Sequence, residues 1–316
     1  MTVEEVAFYS AGCRLAATLK LPVVGEPPFP AVVQGPGWLG LRDARLYHPY
    51  HASLLAAGIA VLVFDYRGFG DSEGDATYLD PMAQVEDWRQ AVTYLETRGE
   101  IDARRIGAFG SGGTGGGNAV VAAGLDPRIK ATVSQVPIAD GRDWLRRMRR
   151  EHEWLEFLGR LADDRRQRVT SGESELVSPR EGIMVPTPER RTTTIKSDVD
   201  RRVPERVQLA SAEAIIEYRP LDFTARIAPR ALMLICVEKD AVTPEDHAIA
   251  LYERAGPPKR LIVQTGTTHY AAYEQYGAVV NPLIVDWYQR HLSAGEVELR
   301  EQTMNEEVMH LSRANA

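Results

Sequence analysis

Three stretches of this chain combine residue types and spacing suited to chemistry. The apolar run Leu232–Val237 is followed at once by Glu238-Lys239-Asp240, and Arg260–Val263 leads through a short polar stretch to His269-Tyr270. An acid that orients an imidazole and stabilises its protonated form turns that imidazole into a general base. The third stretch is Arg105-Ile-Gly-Ala-Phe-Gly110-Ser111-Gly112-Gly113-Thr114-Gly115-Gly116-Gly117-Asn118. It reads as a strand that ends in a burst of glycines and runs into a helix, with two hydroxyls, Ser111 and Thr114, on the turn.

Such a turn has three physical uses. In the first, Gly110-x-Gly112-x-x-Gly115 is a phosphate-cradling loop. That fingerprint opens the first βαβ unit of its domain and wants an acid about 20 residues on, at a strand end. Here several strands precede it, the next strand ends in Val136-Pro137, and no Gly-Lys-Ser/Thr follows, so a nucleotide is not expected. In the second, G-x-S-x-G forms a nucleophile elbow, whose small residues relieve a tight strand-to-helix turn that lifts one side chain above the sheet. In the third, the elbow persists as architecture and its side chain has gone.

Val33-Gln-Gly-Pro-Gly-Trp38-Leu-Gly40, Phe64-Asp-Tyr-Arg-Gly-Phe-Gly-Asp-Ser72 and Gln135-Val-Pro137 resemble the dienelactone-hydrolase-like and peptidase-like branch of the α/β-hydrolase superfamily. In that branch Arg-Ile-Gly-x-x-Gly is followed by x-Ser-x-x-Gly-Gly. Carried onto this chain from Arg105, the spacing puts the nucleophilic serine at position 112, where Gly112 stands. The resemblance further implies that Asp240 is the triad acid, with Glu238 the spare, and that His269 is the triad histidine. Elbow, acid and histidine then follow in the chain order of this fold. The oxyanion hole maps onto the backbone amides of Gly113 and Trp38, donors that survive loss of a side chain.

Two hydroxyls remain as alternative nucleophiles. Ser111 would put Phe109 at the small position two residues earlier. Thr114 satisfies Gly112-x-Thr114-x-Gly116 but falls two residues late, and is expected to cap the first helical turn. Without a nucleophile a covalent acyl-enzyme is unavailable. A His269–Asp240 dyad with two backbone donors can still activate water against a carbonyl, or abstract a proton beside one as a lyase, isomerase, cyclase or decarboxylase does. The alternatives are a serine- or threonine-type esterase and a non-catalytic small-molecule binder, which would have no need of both Asp240 and His269. Nothing calls for a metal, flavin or nucleotide cofactor. His48 and His51 share a helix face, but no third ligand accompanies them.

The elements that must position these residues are legible as well. Strand-like runs at 3–9, 13–21, Pro30–Val33, Ile59–Phe64, Arg105–Phe109, Ala131–Val136, Ala231–Val237 and Arg260–Val263 alternate with helix-like segments at 44–57, 80–98, 115–124, 244–254 and 279–292. Short, continuously apolar strands fit a mostly parallel sheet covered on both faces, an α/β class with the α/β-hydrolase fold. The pattern breaks over 138–228, expected to be a helical lid inserted in a core made of 1–137 and 229–295. Trp144–Arg168 and Val207–Tyr218 read as its helices, and 170–204 as a long loop. Its arginines are matched by Asp and Glu, the mark of a solvated face rather than an anion site. The tail, 296–316, reads as a peripheral helix or disordered. His152, His247, His291 and His310 fall in polar helical contexts and are expected at the surface.

The 316 residues are 44% hydrophobic and 26% charged, with a net charge of -7 and two cysteines. That balance gives no reason to expect a nucleic-acid partner. Both cysteines lie in apolar runs, which fits reduced thiols, and the acidic N-terminus lacks the pattern of a signal peptide. No apolar run approaches the ~20 residues a membrane span needs. A cytoplasmic protein acting on a moderately apolar small molecule is expected, and the resemblance implies homodimerisation through the lid or C-terminal helix.

Overall fold

The computed structural model describes residues 2–293 and 306–311. β1 (Thr2–Ser10) and β2 (Cys13–Leu21) form an antiparallel hairpin. Its turn, Ala11-Gly12, has φ of 47° and 83°, the left-handed pair that a two-residue hairpin loop requires. β3 (Phe29–Gly35) leads to a 3₁₀ turn over Arg45–Tyr47 and α1 (His48–Ala56), then β4 (Ala60–Phe64) and α2 (Pro81–Glu96). Asp80 caps α2 by accepting from the Met82 and Ala83 amides, with Pro81 in the first turn, where its missing N–H is not needed. β5 (Ile101–Gly113) runs straight into α3 (Thr114–Leu125), and β6 (Ile129–Pro137) follows. β5 thus extends four residues past Phe109, through the glycines themselves.

After β6 the chain leaves the sheet. The segment expected to be helical over Trp144–Arg168 is two helices, α4 (Gly141–Arg147) and α5 (Glu151–Ser171), broken at residues 148–150; Trp154, Phe157 and Leu161 form the buried stripe of α5. The stretch expected as one long loop carries short elements: β7 (Leu176–Val177), a π-type turn over Pro179–Ile183, and α6 (Pro188–Thr192), whose cap Thr187 accepts from the Arg190 amide. β8 (Val207–Gln208) pairs antiparallel with β7, and α7 (Ala210–Glu217) and α8 (Leu221–Thr224) lead back. Two- and five-residue elements carry too little periodicity to be read from sequence.

β9 (Ala231–Val237), α9 (Glu245–Arg254), β10 (Lys259–Gln264), α10 (Ala271–Gln275) and α11 (Gly277–His291) complete the alternation. The nine strands order as β1-β2-β4-β3-β5-β6-β9-β10-β11, where β11 is Glu306–Leu311. Only β2 runs against its neighbours; every other pairing between β3 and β11 is parallel. This is the α/β-hydrolase fold, and every residue of β4 and β9 is buried, as a doubly covered sheet demands. Tyr50, Leu54, Trp287 and Tyr288 cover one face, while Trp88, Val92, Val120 and Leu251 cover the other. The tail differs from expectation where it is described: residues 306–311 form a strand that adds to β10 in parallel, which places His310 in a strand rather than a helix. The rest of the 296–316 expectation lies outside the described residues. No helix among the described residues is long and apolar enough to cross a membrane.

Candidate active site

The glycines at the end of β5 have separate physical reasons. A Cβ on Gly110 would stand 2.1 Å from the Gly115 carbonyl oxygen, and one on Gly115 would stand 2.6 Å from that of Pro36. A Cβ on Gly37 would meet the Ser111 carbonyl oxygen at 2.4 Å. The loop after β3 therefore lies directly on the β5–α3 turn, which brings Trp38 beside residues 111–113. Gly112 is different. Its φ is +78°, yet a Cβ there would meet only Gly37 Cα at 3.6 Å and Tyr273 Oη at 3.8 Å, ordinary contacts. The position has the strained backbone of an elbow and open space where a side chain would project.

Asp240 and His269 lie side by side. Asp240 Oδ2 lies 2.7 Å from His269 Nδ1, and both residues are buried. Asp240 Oδ1 accepts from the Val242 and Thr243 amides at 2.7 and 3.1 Å, and Oδ2 from the Thr243 hydroxyl at 3.1 Å. Burial alone would push this carboxyl up. The facing imidazole and the bonds to it outweigh burial and hold it below the usual carboxylate range. Glu238, the spare acid, has no contact with His269; it lies next to the Lys239 ammonium.

Gly112, Gly113, Trp38 and His269 all line one cavity of about 70 Å³. The Trp38 amide meets no acceptor among the described residues. Ser111 also lines the cavity, but its hydroxyl shares a 2.7 Å hydrogen bond with Tyr273 Oη and has none with His269. Thr114 is the first residue of α3, buried and outside the cavity lining; contrary to expectation it makes no capping bond. Tyr270 and Tyr273 reach the cavity, while Tyr276 is buried in the core under α11.

The inserted segment supplies a side of the cavity that sequence reasoning did not foresee: Arg180, Arg190 and Lys196. Lys196 Nζ donates to the Trp38 carbonyl at 2.8 Å and to that of Leu39 at 3.3 Å. Glu189 fixes α6 to the histidine loop, accepting from Thr268 Oγ1 at 2.5 Å and from the Tyr270 and Ala271 amides. Sequence patterns carry no signal for these pairings, because the partners are 79 to 158 residues apart.

Two histidines expected at the surface are not there. His247 is buried and accepts from the Ala139 amide at 2.8 Å; His291 is half-covered and packs edge-on against Trp287. His51 is buried between Lys20 Nζ at 2.9 Å and Gln34 Oε1 at 2.5 Å, and burial pushes its imidazole down to about 3. It is a neutral core residue on the covered side of the sheet.

A family model described as X-Pro dipeptidyl-peptidase (S15 family) matches residues 11–271. Among curated proteins, an uncharacterized 31.7 kDa protein of Escherichia coli is 29% identical over 284 residues, covering 88% of this chain and 96% of that one. A polyketide transferase, GrgF, of Penicillium sp. is 24% identical over 272 residues, covering 84% and 89%. The crystal structure of GrgF, described as an α/β hydrolase, superposes with a TM-score of 0.76 at 22% identity over 93% of this chain and all of that one.

Proposed function

This chain belongs to the X-Pro dipeptidyl-peptidase (S15) family and is an α/β-hydrolase-fold enzyme, and from that premise we propose that it acts on a carbonyl-bearing small molecule through His269 and Asp240, without a side-chain nucleophile at position 112. The observation that carries this reading is the paired geometry: a buried Asp240–His269 hydrogen bond at the cavity, opposite an elbow whose open position is a glycine.

Asp240 holds the imidazole with Nδ1 toward the carboxylate, so Nε2 is left as the base. His269 takes a proton from water as the water oxygen bonds to the carbonyl carbon, and the carbonyl electron pair moves to oxygen. The Trp38 and Gly113 amides stabilise that oxyanion. Collapse expels the leaving group, which receives the proton from His269. An oxyanion hole and binding alone retain about 10³–10⁴-fold acceleration in serine enzymes stripped of a triad member. That suffices for an activated acyl group and falls short for a peptide bond. A relative named a polyketide transferase over most of the chain supports acyl chemistry, with an acceptor other than water as a variant of the same step. A lyase- or cyclase-type proton abstraction would use the same base.

A second reading rests on Ser111, whose hydroxyl reaches the cavity and is paired to Tyr273. Treating the wild-type protein with a fluorophosphonate probe and reading intact mass and labelled peptide separates the two. No adduct is expected; an adduct on Ser111 or Thr114 would replace this reading with ordinary covalent hydrolysis.

A further inference from the structure

The cavity that holds His269 has an uneven charge. Arg180, Arg190 and Lys196 all line it, and no Asp or Glu does. Asp200 is shared between the two arginines. It lies 2.8 Å from Arg180 Nη2 and 2.9 Å from Arg190 Nη2. Arg180 Nη2 is buried and, despite that ion pair, has no aligned hydrogen-bond acceptor among the described residues. Lys196 spends its donors on two carbonyls, Trp38 and Leu39, which are neutral. Arg180, Arg190 and Lys196 thus reach the cavity on a wall that is otherwise mostly apolar and includes Trp38, Trp144, Met184 and Ile195. A buried charged donor left without an acceptor is costly unless a ligand supplies one.

We propose that this cavity recognises a small organic anion, a carboxylate at the far end of the carbonyl substrate, through Arg180, Arg190 and Lys196. The assignment rests on the reading above for the reacting end and goes beyond it by naming what holds the other end. A carboxylate would give Arg180 Nη2 an acceptor while Asp200 keeps its place beside both guanidiniums. Lys196 bridges the two ends: the same ammonium that faces the anion grips the Trp38 carbonyl, so a bound carboxylate steadies the loop that carries the oxyanion donor. The charge of the two arginines and burial together press on Lys196, and an anion relieves both.

The test compares butyrate with butyramide, a neutral molecule of the same shape, and with inorganic phosphate, at ionic strength matched with chloride. Thermal shift and titration calorimetry are read on wild type, Lys196→Met, Arg190→Gln and His269→Ala, each checked for folding by circular dichroism. Butyrate is expected to stabilise wild type and His269→Ala alike and butyramide neither. The butyrate dissociation constant should rise about tenfold or more in Lys196→Met and in Arg190→Gln, the loss of one charge-assisted bond. Equal effects of butyrate and butyramide, or wild-type butyrate affinity in both folded cavity variants, would overturn the site. Stronger stabilisation by phosphate would overturn the carboxylate assignment. Because His269→Ala leaves the anion site intact, failure of the catalytic reading shows separately, as turnover that survives that substitution.

Discussion

On the proposed reading, the chemistry turns on position 112, where glycine stands in place of a side-chain nucleophile. The strained turn, the close approach of Gly37 and the dyad are all in place, and the open space at Gly112 is the size of a small side chain. Gly112→Ser is therefore expected to fold, at a cost of about 1–3 kcal/mol for a non-glycine residue at φ +78°. It should gain reactivity toward the fluorophosphonate probe and toward 4-nitrophenyl acetate. A folded, unreactive Gly112→Ser protein would mean that the hydroxyl does not reach His269. His269→Ala in the same background should remove the gain; a serine that stays reactive without the imidazole would place the base elsewhere. The neighbourhood of these residues was legible in the sequence, because Asp240 and His269 follow strand ends and the glycines close β5. It did not show that Ser111 is paired with Tyr273, a contact across 162 residues, nor that Thr114 is turned away from the cavity.

Elements were legible in proportion to their length and regularity. β4 and β9 are short, wholly apolar and found where the runs lie, whereas β7, β8 and α6 are too brief to show a period. β11 was missed because an edge strand at a sheet margin needs no continuous apolar run. The arginines of the insertion divide in two. Those of α5 do face acids, as with Arg166–Asp163 and Arg168–Asp164, while Arg180 and Arg190 turn inward and share Asp200. Counting charges could not tell the groups apart. The loop after β3, which carries the proposed oxyanion donor Trp38, fits on the β5–α3 turn with Gly37 as the contact point. Gly37→Ala would drive a methyl to 2.4 Å from the Ser111 backbone oxygen, so one loop must move. Overpacking of this kind costs about 1–3 kcal/mol. A lower melting temperature together with a fall in kcat larger than any rise in KM is expected. Unchanged values of both would show that the loop does not set the site.

Over the whole molecule, the insertion and the core are joined by polar contacts around the cavity: Lys196 to Trp38, Glu189 to the histidine loop, Arg202 to Asp43 at 2.7 Å, and Trp144 Nε1 to the Val242 carbonyl at 2.7 Å. The cavity of about 70 Å³ is bounded on one side by this seam. Lys196 makes the stability of the folded chain depend on pH. Burial, then the Arg180 and Arg190 charges, bring its ammonium down to about 7 from 10.5, against the opposing pull of Asp200 and Asp198. Between those values the folded chain binds fewer protons at this residue than the unfolded chain, so its contribution to stability rises with pH and is least favourable below about 7. Lys196→Met removes that dependence. Relative to wild type, the variant should melt highest in the comparison at about pH 6, and its advantage should shrink steadily toward about pH 10. The hydrogen bonds to Trp38 and Leu39 are lost at every pH and shift the two curves without changing the trend. A gap that does not vary with pH would mean that Lys196 titrates normally and stays solvated. Saturating butyrate gives the ammonium a partner and raises its pKa, so in wild type the pH at which this penalty fades should move upward. On the proposed reading, the charge that weakens the empty chain is the one that would hold the anion, a stability loss at a functional site.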